Sequence, residues 1–273
     1  MQPCSPILKW VGGKGRLLNQ LNSRLPKGVE RMRHVEPFVG GGALFFNRTP
    51  ERALLCDLNP ALITTYTAVR DNVESVIRHL RRHAKRHSQE HYYRIRERYN
   101  HAININDDER AAMFIYLNRT CFNGLHRVNR KGQFNVPMGR YANPNIANEE
   151  KLWAASTRLA NATIVQSDFR ALIETANPGD FIYFDPPYEP VSKTANFTGY
   201  AEEGFAQQDQ KALREVFEVL DYRGCKLMLS NSDVPFIRKL YQGYRIEKIF
   251  APRAVNSKAS ARGPVAEVVV RNY

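Results

Sequence analysis

Phe181-Ile182-Tyr183-Phe184-Asp185-Pro186-Pro187-Tyr188 is the stretch on which the reading of this chain turns. Its first four residues are aromatic or β-branched and follow the turn signal Pro178-Gly179-Asp180, the pattern of a short buried strand. Asp185-Pro186-Pro187-Tyr188 therefore lies just past a strand's carboxyl end, where open α/β sheets place their ligand crevices. Two consecutive prolines remove two backbone donors and hold φ narrowly. Each also pushes the residue before it toward extended geometry. The result is a stiff lip that carries a carboxylate, carbonyl oxygens and an aromatic ring. Such a set suits a planar guest with an NH2 to grip and a ring face to stack on. The exocyclic amine of adenine is a poor nucleophile because its lone pair is delocalised into the ring. Asp185 and the Pro186 carbonyl, accepting both of its hydrogens, would draw the nitrogen toward tetrahedral geometry while Tyr188 stacks on the ring. An ordinary Pro-Pro turn with an exposed aspartate fits these four residues equally well, so the rest of the chain decides.

A second strand–turn–helix unit lies upstream. His34-Val35-Glu36-Pro37-Phe38-Val39-Gly40-Gly41-Gly42 precedes the apolar Ala43-Leu44-Phe45-Phe46, and Ala53-Leu54-Leu55-Cys56 then forms a strand ending on Asp57. Glycines let backbone approach a ligand closely. A carboxylate at the tip of the next strand is the ribose-hydroxyl holder of nucleotide-binding α/β folds. Phe38-x-Gly40-x-Gly42 lacks the third glycine of the pyrophosphate fingerprint. That favours a cofactor with a nucleoside but no pyrophosphate, and S-adenosylmethionine fits. Near the start, Trp10-Val11-Gly12-Gly13-Lys14 lacks P-loop spacing, which excludes a triphosphate cradle. Trp10 and Lys14 are candidates to wall the cofactor pocket, and an amphipathic helix through Leu17, Leu18, Leu21 and Leu25 is expected to follow.

Composition narrows the partner. The 273 residues carry 40 Lys and Arg against 27 Asp and Glu, a net charge of +13, which points to a polyanion such as nucleic acid. Cys4, Cys56, Cys121 and Cys225 have no paired spacing, so neither a disulfide frame nor a metal site is expected. No membrane span and no signal peptide are read, and the expected setting is the cytoplasm of a prokaryotic or phage-infected cell.

From Asn59-Pro60 the texture changes. Helical periodicity turns basic between Arg78 and Arg98, with His79, His83, His87 and His91 at four-residue steps along one expected helical face. No carboxylate or cysteine completes a ligand set there, so no metal is expected. A helix over 111–117 leads into Asn118-Arg119-Thr120-Cys121-Phe122-Asn123-Gly124-Leu125-His126-Arg127, and 128–141 returns through the turn Arg130-Lys131-Gly132-Gln133. This reads as a β-hairpin rich in the arginine, amide and apolar side chains that recognise base edges in the major groove, with Phe122 able to wedge into a base stack. After Asn148 the core resumes. Ala162–Val165 is read as a strand leading to Asp168, Gln207–Val219 as a helix, and Lys226–Ser230 as a strand. The segment 244–250 is expected to pair with 265–270 across the basic loop 253–262, and the long loop 189–206 reads as a lid.

The chain resembles the Dam family of DNA adenine-N6 methyltransferases over nearly its whole length. The resemblance is carried by Leu8-Lys9-Trp10-x-Gly12-Gly13-Lys14, Glu36-Pro37-Phe38-x-Gly40-x-Gly42, Asp57-x-Asn59, Asn118-Arg119-x-x-Phe122-Asn123-Gly124-Leu125-x-Arg127-x-Asn129, Phe134-Asn135-Val136-Pro137-x-Gly139-Arg140-Tyr141, Asp185-Pro186-Pro187-Tyr188 and Thr194-Ala195-Asn196-Phe197-Thr198. It implies a Rossmann-like methyltransferase fold: a mixed, mostly parallel seven-stranded sheet with helices on both faces. A helical and β-hairpin target-recognition insert at 60–147 would divide catalytic segments 1–59 and 148–273. The resemblance implies that Trp10, Lys14, Phe38, Gly40, Gly42, Asp57, Asp168 and Asp185 surround S-adenosylmethionine. It implies that Phe122 and Asn123 fill the gap left by a flipped adenine, and that Lys9, Leu125, Arg127, Pro137 and Arg140 read or clamp a GATC-like site in duplex DNA. The expected enzyme is a monomer, needs no metal and releases S-adenosylhomocysteine. Phe122 stands where several relatives have Tyr, and His126 and Val128 also depart from the pattern, which bears on flanking-base preference. Cytosine-N4 enzymes more often resemble Ser-Pro-Pro-Tyr at the lip. A catalytically silent DNA-binding protein would not require Asp185, the glycine turn and Asp57 together.

A net charge of +13 must engage phosphates and release counterions. DNA affinity is therefore expected to fall by orders of magnitude between low and physiological salt, measured by fluorescence anisotropy of a labelled duplex. A flat dependence would rule out a phosphate-tracking surface.

Overall fold

The computed structural model describes residues 4–191, 205–251 and 265–273. The motif Thr194–Thr198, most of the expected lid and the loop 253–262 lie outside them. Among the described residues seven strands form one sheet in the order β3-β2-β1-β4-β5-β7-β6. They are β1 (His34–Glu36), β2 (Ala53–Asp57), β3 (Ala162–Gln166), β4 (Phe181–Phe184), β5 (Lys226–Ser232), β6 (Arg245–Ala251) and β7 (Val265–Arg271). β1 pairs in parallel with β2 and β4, and β4 with β5, whereas β7 runs antiparallel to both β5 and β6. The expected mixed, mostly parallel sheet is present, and 245–251 pairs with 265–271 as read from the sequence.

The chain divides into two compact units, one of Met1–Gly13, Gly40–Thr49 and Asp57–Gln166, the other of Lys14–Val39, Pro50–Cys56 and Ser167–Tyr273. In the second unit β4 is buried along its whole length. The turn before it sets its place: Gly179 takes φ +84°, and the Asp180 carboxylate accepts the Asn177 N–H at 2.7 Å and pairs with Arg33. Main-chain bonds from Phe181 to Arg33 (2.9 Å) and from Lys226 to Asp180 (2.8 Å) then start β4 between β1 and β5. After α7 (Leu172–Thr175), which adds Leu172 to the core, α8 (Gln207–Tyr222) turns Leu213, Val216, Phe217 and Leu220 toward it, a helical i, i+3, i+4, i+7 stripe. Its first turn is held by the Asp209 carboxylate, which accepts the Ala206 N–H at 3.0 Å. Ile237 of α9 (Pro235–Leu240) and Tyr241 join the same core. The helix expected through Leu25 is shorter: α1 covers Leu18–Asn22 only. Pro26 disfavours helical geometry at Leu25, and Gly28 follows in a left-handed conformation with φ +75°.

In the first unit, α2 (Ala43–Arg48) leaves the glycine turn, and α3 (Pro60–Lys85) starts where the Asn59 side chain accepts the Ala61 N–H, with Pro60 in the first turn. α3 is interrupted at Asn72 (φ −143°, ψ 43°). α4 (Gln89–His101) is capped by Ser88, α5 (Asp107–Thr120) by Asn106, and α6 (Glu149–Leu159) by Asn148. α5 is buried on all sides from Ala111 to Asn118, so it is the axis on which this unit packs. The four histidines do not share one helical face. α3 stops at Lys85, and the Ser88 side chain prefers to cap a new helix, so the ladder breaks between His83 and His91. Instead His83 Nδ1 meets His91 Nε2 at 3.1 Å, and His87 Nδ1 meets the Tyr116 hydroxyl at 3.0 Å. Among the described residues no group of three or more His, Cys, Asp or Glu could hold a metal ion, and no helix is long and apolar enough to cross a membrane. The expected β-hairpin is reduced to two isolated bridges, Cys121 with Met138 and Val128 with Phe134. Main-chain bonds still cross between its arms, from Asn135 to Arg127 at 3.1 Å and from Asn129 to Gln133 at 2.8 Å, and Asn129 Oδ1 also accepts the N–H groups of Lys131 and Gln133, each at 3.0 Å.

Candidate active site and nucleic-acid interface

In the second unit the lip sits where the sequence puts it, directly after β4. Lys14 Nζ lies 2.7 Å from Asp185 Oδ1, and the side chains are 6% and 21% exposed. The same ammonium lies 4.6 Å from the centroid of the Tyr188 ring. Burial raises the Asp185 pKa, Lys14 opposes that rise, and Glu36 adds to it. A polar network fixes the backbone of the lip. Gln210 Nε2 donates to the Pro187 carbonyl at 3.0 Å, and Asn231 Oδ1 accepts the Glu189 N–H at 3.1 Å. Ser232 Oγ donates to the Glu189 carbonyl at 2.6 Å, and Asn231 Nδ2 donates to Gln210 Oε1 at 3.1 Å. The Pro187 carbonyl is thereby occupied, whereas none of the described residues donates to that of Pro186.

Phe38 stacks on Phe169 with centroids 5.4 Å apart, and Phe205 meets Phe38 edge-on at 5.7 Å. Asp168 caps the short turn Phe169–Ala171 and holds the Arg170 guanidinium at 3.1 Å; that guanidinium also reaches Asp209 at 3.0 Å. Its carboxylate is therefore engaged by its own neighbour. Sequence reading did not single out Glu267, whose Oε2 accepts the Tyr188 hydroxyl at 2.7 Å across 79 positions of chain. A lone glutamate in a valine-rich run was the available signal.

In the first unit Asp57 Oδ2 accepts the Gly40 N–H at 3.0 Å and Oδ1 the Asn59 N–H at 2.9 Å. Burial raises its pKa even against these backbone donors. A Cβ at Gly40 would lie 2.9 Å from the Trp10 ring, so glycine is required for this close approach. Gly42 stands at φ +64° where α2 begins, and Tyr66 donates to the Gly40 carbonyl at 2.7 Å. Trp10 in turn stacks on His126 at 5.3 Å, and burial pushes the His126 pKa down to about 4, which leaves it neutral at physiological pH.

Of the DNA-reading candidates in this unit, Lys9 is anchored by Asn118 and Tyr141. Asn118, buried in α5, accepts the Lys9 N–H at 2.8 Å and donates to the Lys9 carbonyl at 2.8 Å and to that of Gly124 at 3.3 Å. Lys9 Nζ reaches the Tyr141 hydroxyl at 3.2 Å and lies 4.3 Å from that ring's centroid. Phe122 is half exposed, and Asn123 takes the left-handed φ +54°, which Asn tolerates better than most residues. Phe122 N–H donates to the Pro137 carbonyl at 2.9 Å, and a surface groove is lined by Phe122, Asn123, Met138, Gly139, Arg140 and Tyr141. Arg127 is exposed and its Nε donates to Asn135 Oδ1 at 2.7 Å. Leu125 is half-buried at the end of the Phe122–Gly124 turn. Asn118 and Tyr141, absent from the candidate set, position Lys9; only their place in the motif blocks hinted at it.

A glycine turn answered by a strand-tip carboxylate, an Asp-Pro-Pro-Tyr lip after β4, and an antiparallel pair closing a parallel sheet define the Rossmann-like methyltransferase fold. The chain belongs to the D12 class of N6 adenine-specific DNA methyltransferases, whose family model matches residues 10–255. It is 44% identical to the type II methyltransferase M1.LlaDCHI of Lactococcus lactis subsp. cremoris, over 98% of this chain and 95% of that protein. Identity is 40% to the type II methyltransferase M.MjaIII of Methanocaldococcus jannaschii, over 98% and 99%. To the DNA adenine methylase of Serratia marcescens it is 35%, over 96% of each chain.

Gly124 stands at φ +64°, and a Cβ there would lie 2.3 Å from Lys9 Cδ. Gly124→Ala is expected to cost about 1–2 kcal/mol of stability from the left-handed backbone alone. It should also move Lys9 and weaken duplex binding. Thermal unfolding and anisotropy titration check both; wild-type values in each would show that the Lys9 seat is not built on Gly124.

Proposed function

We propose that this DNA adenine methyltransferase transfers the methyl group of S-adenosylmethionine to N6 of an adenine flipped out of duplex DNA, within GATC. The observation that carries the reading is the seat of the Lys14 ammonium, bonded to Asp185 and lying on the Tyr188 ring. An exocyclic amine with its aromatic ring asks for the same two partners, a carboxylate and a stacking face. The Pro186 carbonyl, which receives no bond from the described residues, supplies the second acceptor. The flipped base is required because the target atom is out of reach inside the stack. As it enters, the ammonium gives up Asp185 and the ring.

The residues fit the cofactor by the chemistry of their donor set. The Asp57 carboxylate is held by backbone donors of Gly40, Leu58 and Asn59 and still has acceptor capacity for a ribose hydroxyl. Phe38 offers an aromatic surface to an adenine ring, and Trp10, Gly40 and Gly42 shape the turn beside Asp57. Asp168, tied to Arg170, is assigned to the edge of the same cofactor. When bound, S-adenosylmethionine supplies an electrophilic methyl on a sulfonium centre. Asp185 and Pro186 draw the target nitrogen out of conjugation, Pro187 stiffens the lip, and Tyr188 fixes the plane of the base.

The segment 60–147 is assigned to target recognition. Phe122 and Asn123 occupy the space of the flipped base, and Lys9, Leu125, Arg127, Pro137 and Arg140 read or clamp the site. Guanidinium groups bind guanine O6 and N7 with two bonds and discriminate by about 1–3 kcal/mol. Asn135 already orients Arg127, as a base-reading arginine requires.

The expected product is N6-methyladenine in GATC, measured by nucleoside mass spectrometry and single-molecule sequencing of treated duplex; N4-methylcytosine or label confined to RNA would sink the proposal. Asp185→Ala should lower turnover by at least roughly a hundredfold, as for a positioned electrostatic group, with duplex affinity retained. Arg127→Ala should relax the requirement for one G·C pair, whereas Arg130→Ala should weaken all sequences alike. Steady-state rates on sites altered one base pair at a time make that distinction, and an equal loss on every site would remove Arg127 from base reading.

A further inference from the structure

β7 reads Val265-Ala266-Glu267-Val268-Val269-Val270-Arg271, with Val268, Val269 and Val270 fully buried. A carboxylate in such a strand is costly unless a donor or cation meets it. Glu267 stands opposite Ser232 of β5 and Ile249 of β6. Its donor is the Tyr188 hydroxyl at 2.7 Å. Burial raises its pKa, Lys14 and Tyr188 draw it back, and Asp185 adds to the rise, so the four side chains act on one another. Topology explains the meeting. β4 and β5 run parallel and bring their last residues, Phe184 and Ser232, toward the lip. β7 is antiparallel, so its early residues, not its late ones, reach that edge.

We infer that Glu267 is a positioning residue for methyl transfer, anchoring the Tyr188 hydroxyl so that the ring holds one plane for the target base. The inference rests on reading Asp185-Pro186-Pro187-Tyr188 as the amine-binding lip. Prolines stiffen the backbone ahead of Tyr188 but leave its side-chain torsions to be fixed by other contacts. A phenol whose hydroxyl donates to a carboxylate oxygen also carries a more electron-rich ring. That suits a face already 4.6 Å from an ammonium, and suits an amine that gains positive charge as it accepts a methyl group.

The test compares Glu267→Ala, Glu267→Gln, Tyr188→Phe and the double variant Glu267→Ala/Tyr188→Phe on duplex DNA. Glu267→Ala should lower kcat about 10- to 100-fold, the scale of a misplaced contact, with KM for DNA and thermal midpoint close to wild type. Glu267→Gln keeps an acceptor oxygen and should retain most of the rate. The double variant should be no slower than Tyr188→Phe alone, because both remove the same bond. With 2-aminopurine at the target position, Glu267→Ala should bind the duplex with brighter emission, the base being less stacked on the ring. A wild-type rate in Glu267→Ala, additive losses in the double variant, or a lowered midpoint with unchanged kcat and emission each overturn the inference. Asp185→Ala separates the two readings. Full turnover in it removes the lip assignment itself, whereas an inactive Asp185→Ala beside an unaffected Glu267→Ala removes only the positioning role.

Discussion

A carboxylate partly withdrawn from water at the end of an apolar strand must be answered by positive charge, or it protonates. Asp185 is answered by Lys14, whose own side chain is 6% exposed, so neither partner is solvated well enough to stand alone. Much of the second unit serves this pair. The Arg33–Asp180 turn sets where β4 begins, the buried strand carries the chain to Asp185, and Gln210, Asn231 and Ser232 tie down the residues that follow. The network is built from amides and a hydroxyl and so adds rigidity without adding charge. The electrostatic balance around the carboxylate is left to Lys14, Glu36 and Glu267.

The first unit solves a different problem, holding flexible basic side chains in a defined register. Asn118 does so by bonding both main-chain groups of Lys9 from inside a helix buried on all sides, which converts a segment near residue 9 into part of the α5 framework. Gly124 and Gly139 permit the close approach: a Cβ on Gly139 would lie 2.5 Å from the Tyr141 ring and 2.8 Å from the Cys121 carbonyl.

Most of the architecture was legible in the sequence, because its signals are local. Strand runs bounded by Pro-Gly-Asp or by glycines, and the changes of texture at Asn59 and Asn148, declare themselves within a few residues. The candidate lip, the glycine turn and Asp57 were legible for the same reason, since each is one loop after one strand. What escaped was long-range. Tyr188 with Glu267, and Asn118 with Lys9, are joined across 79 and 109 positions, and no periodicity announces such a pair. The histidine ladder misled because a four-residue spacing continues across a helix break that the Ser88 cap creates. The expected helix through Leu25 failed because one proline outweighs an apolar stripe over a single turn.

β7 follows β6 in the chain yet lies between β5 and β6 in the sheet. During synthesis, β5 therefore emerges with one open edge, and its Leu227, Met228 and Leu229 wait for a strand made some forty residues later. The intervening β6 cannot serve, because its place is one strand further out. Until the late strand inserts, the nascent protein presents an apolar, unpaired edge of the kind that chaperones hold and that aggregates recruit. Stabilising the β6–β7 pair at positions away from Glu267 would shorten that exposure and keep the anchor of Tyr188 in place, a lever for yield.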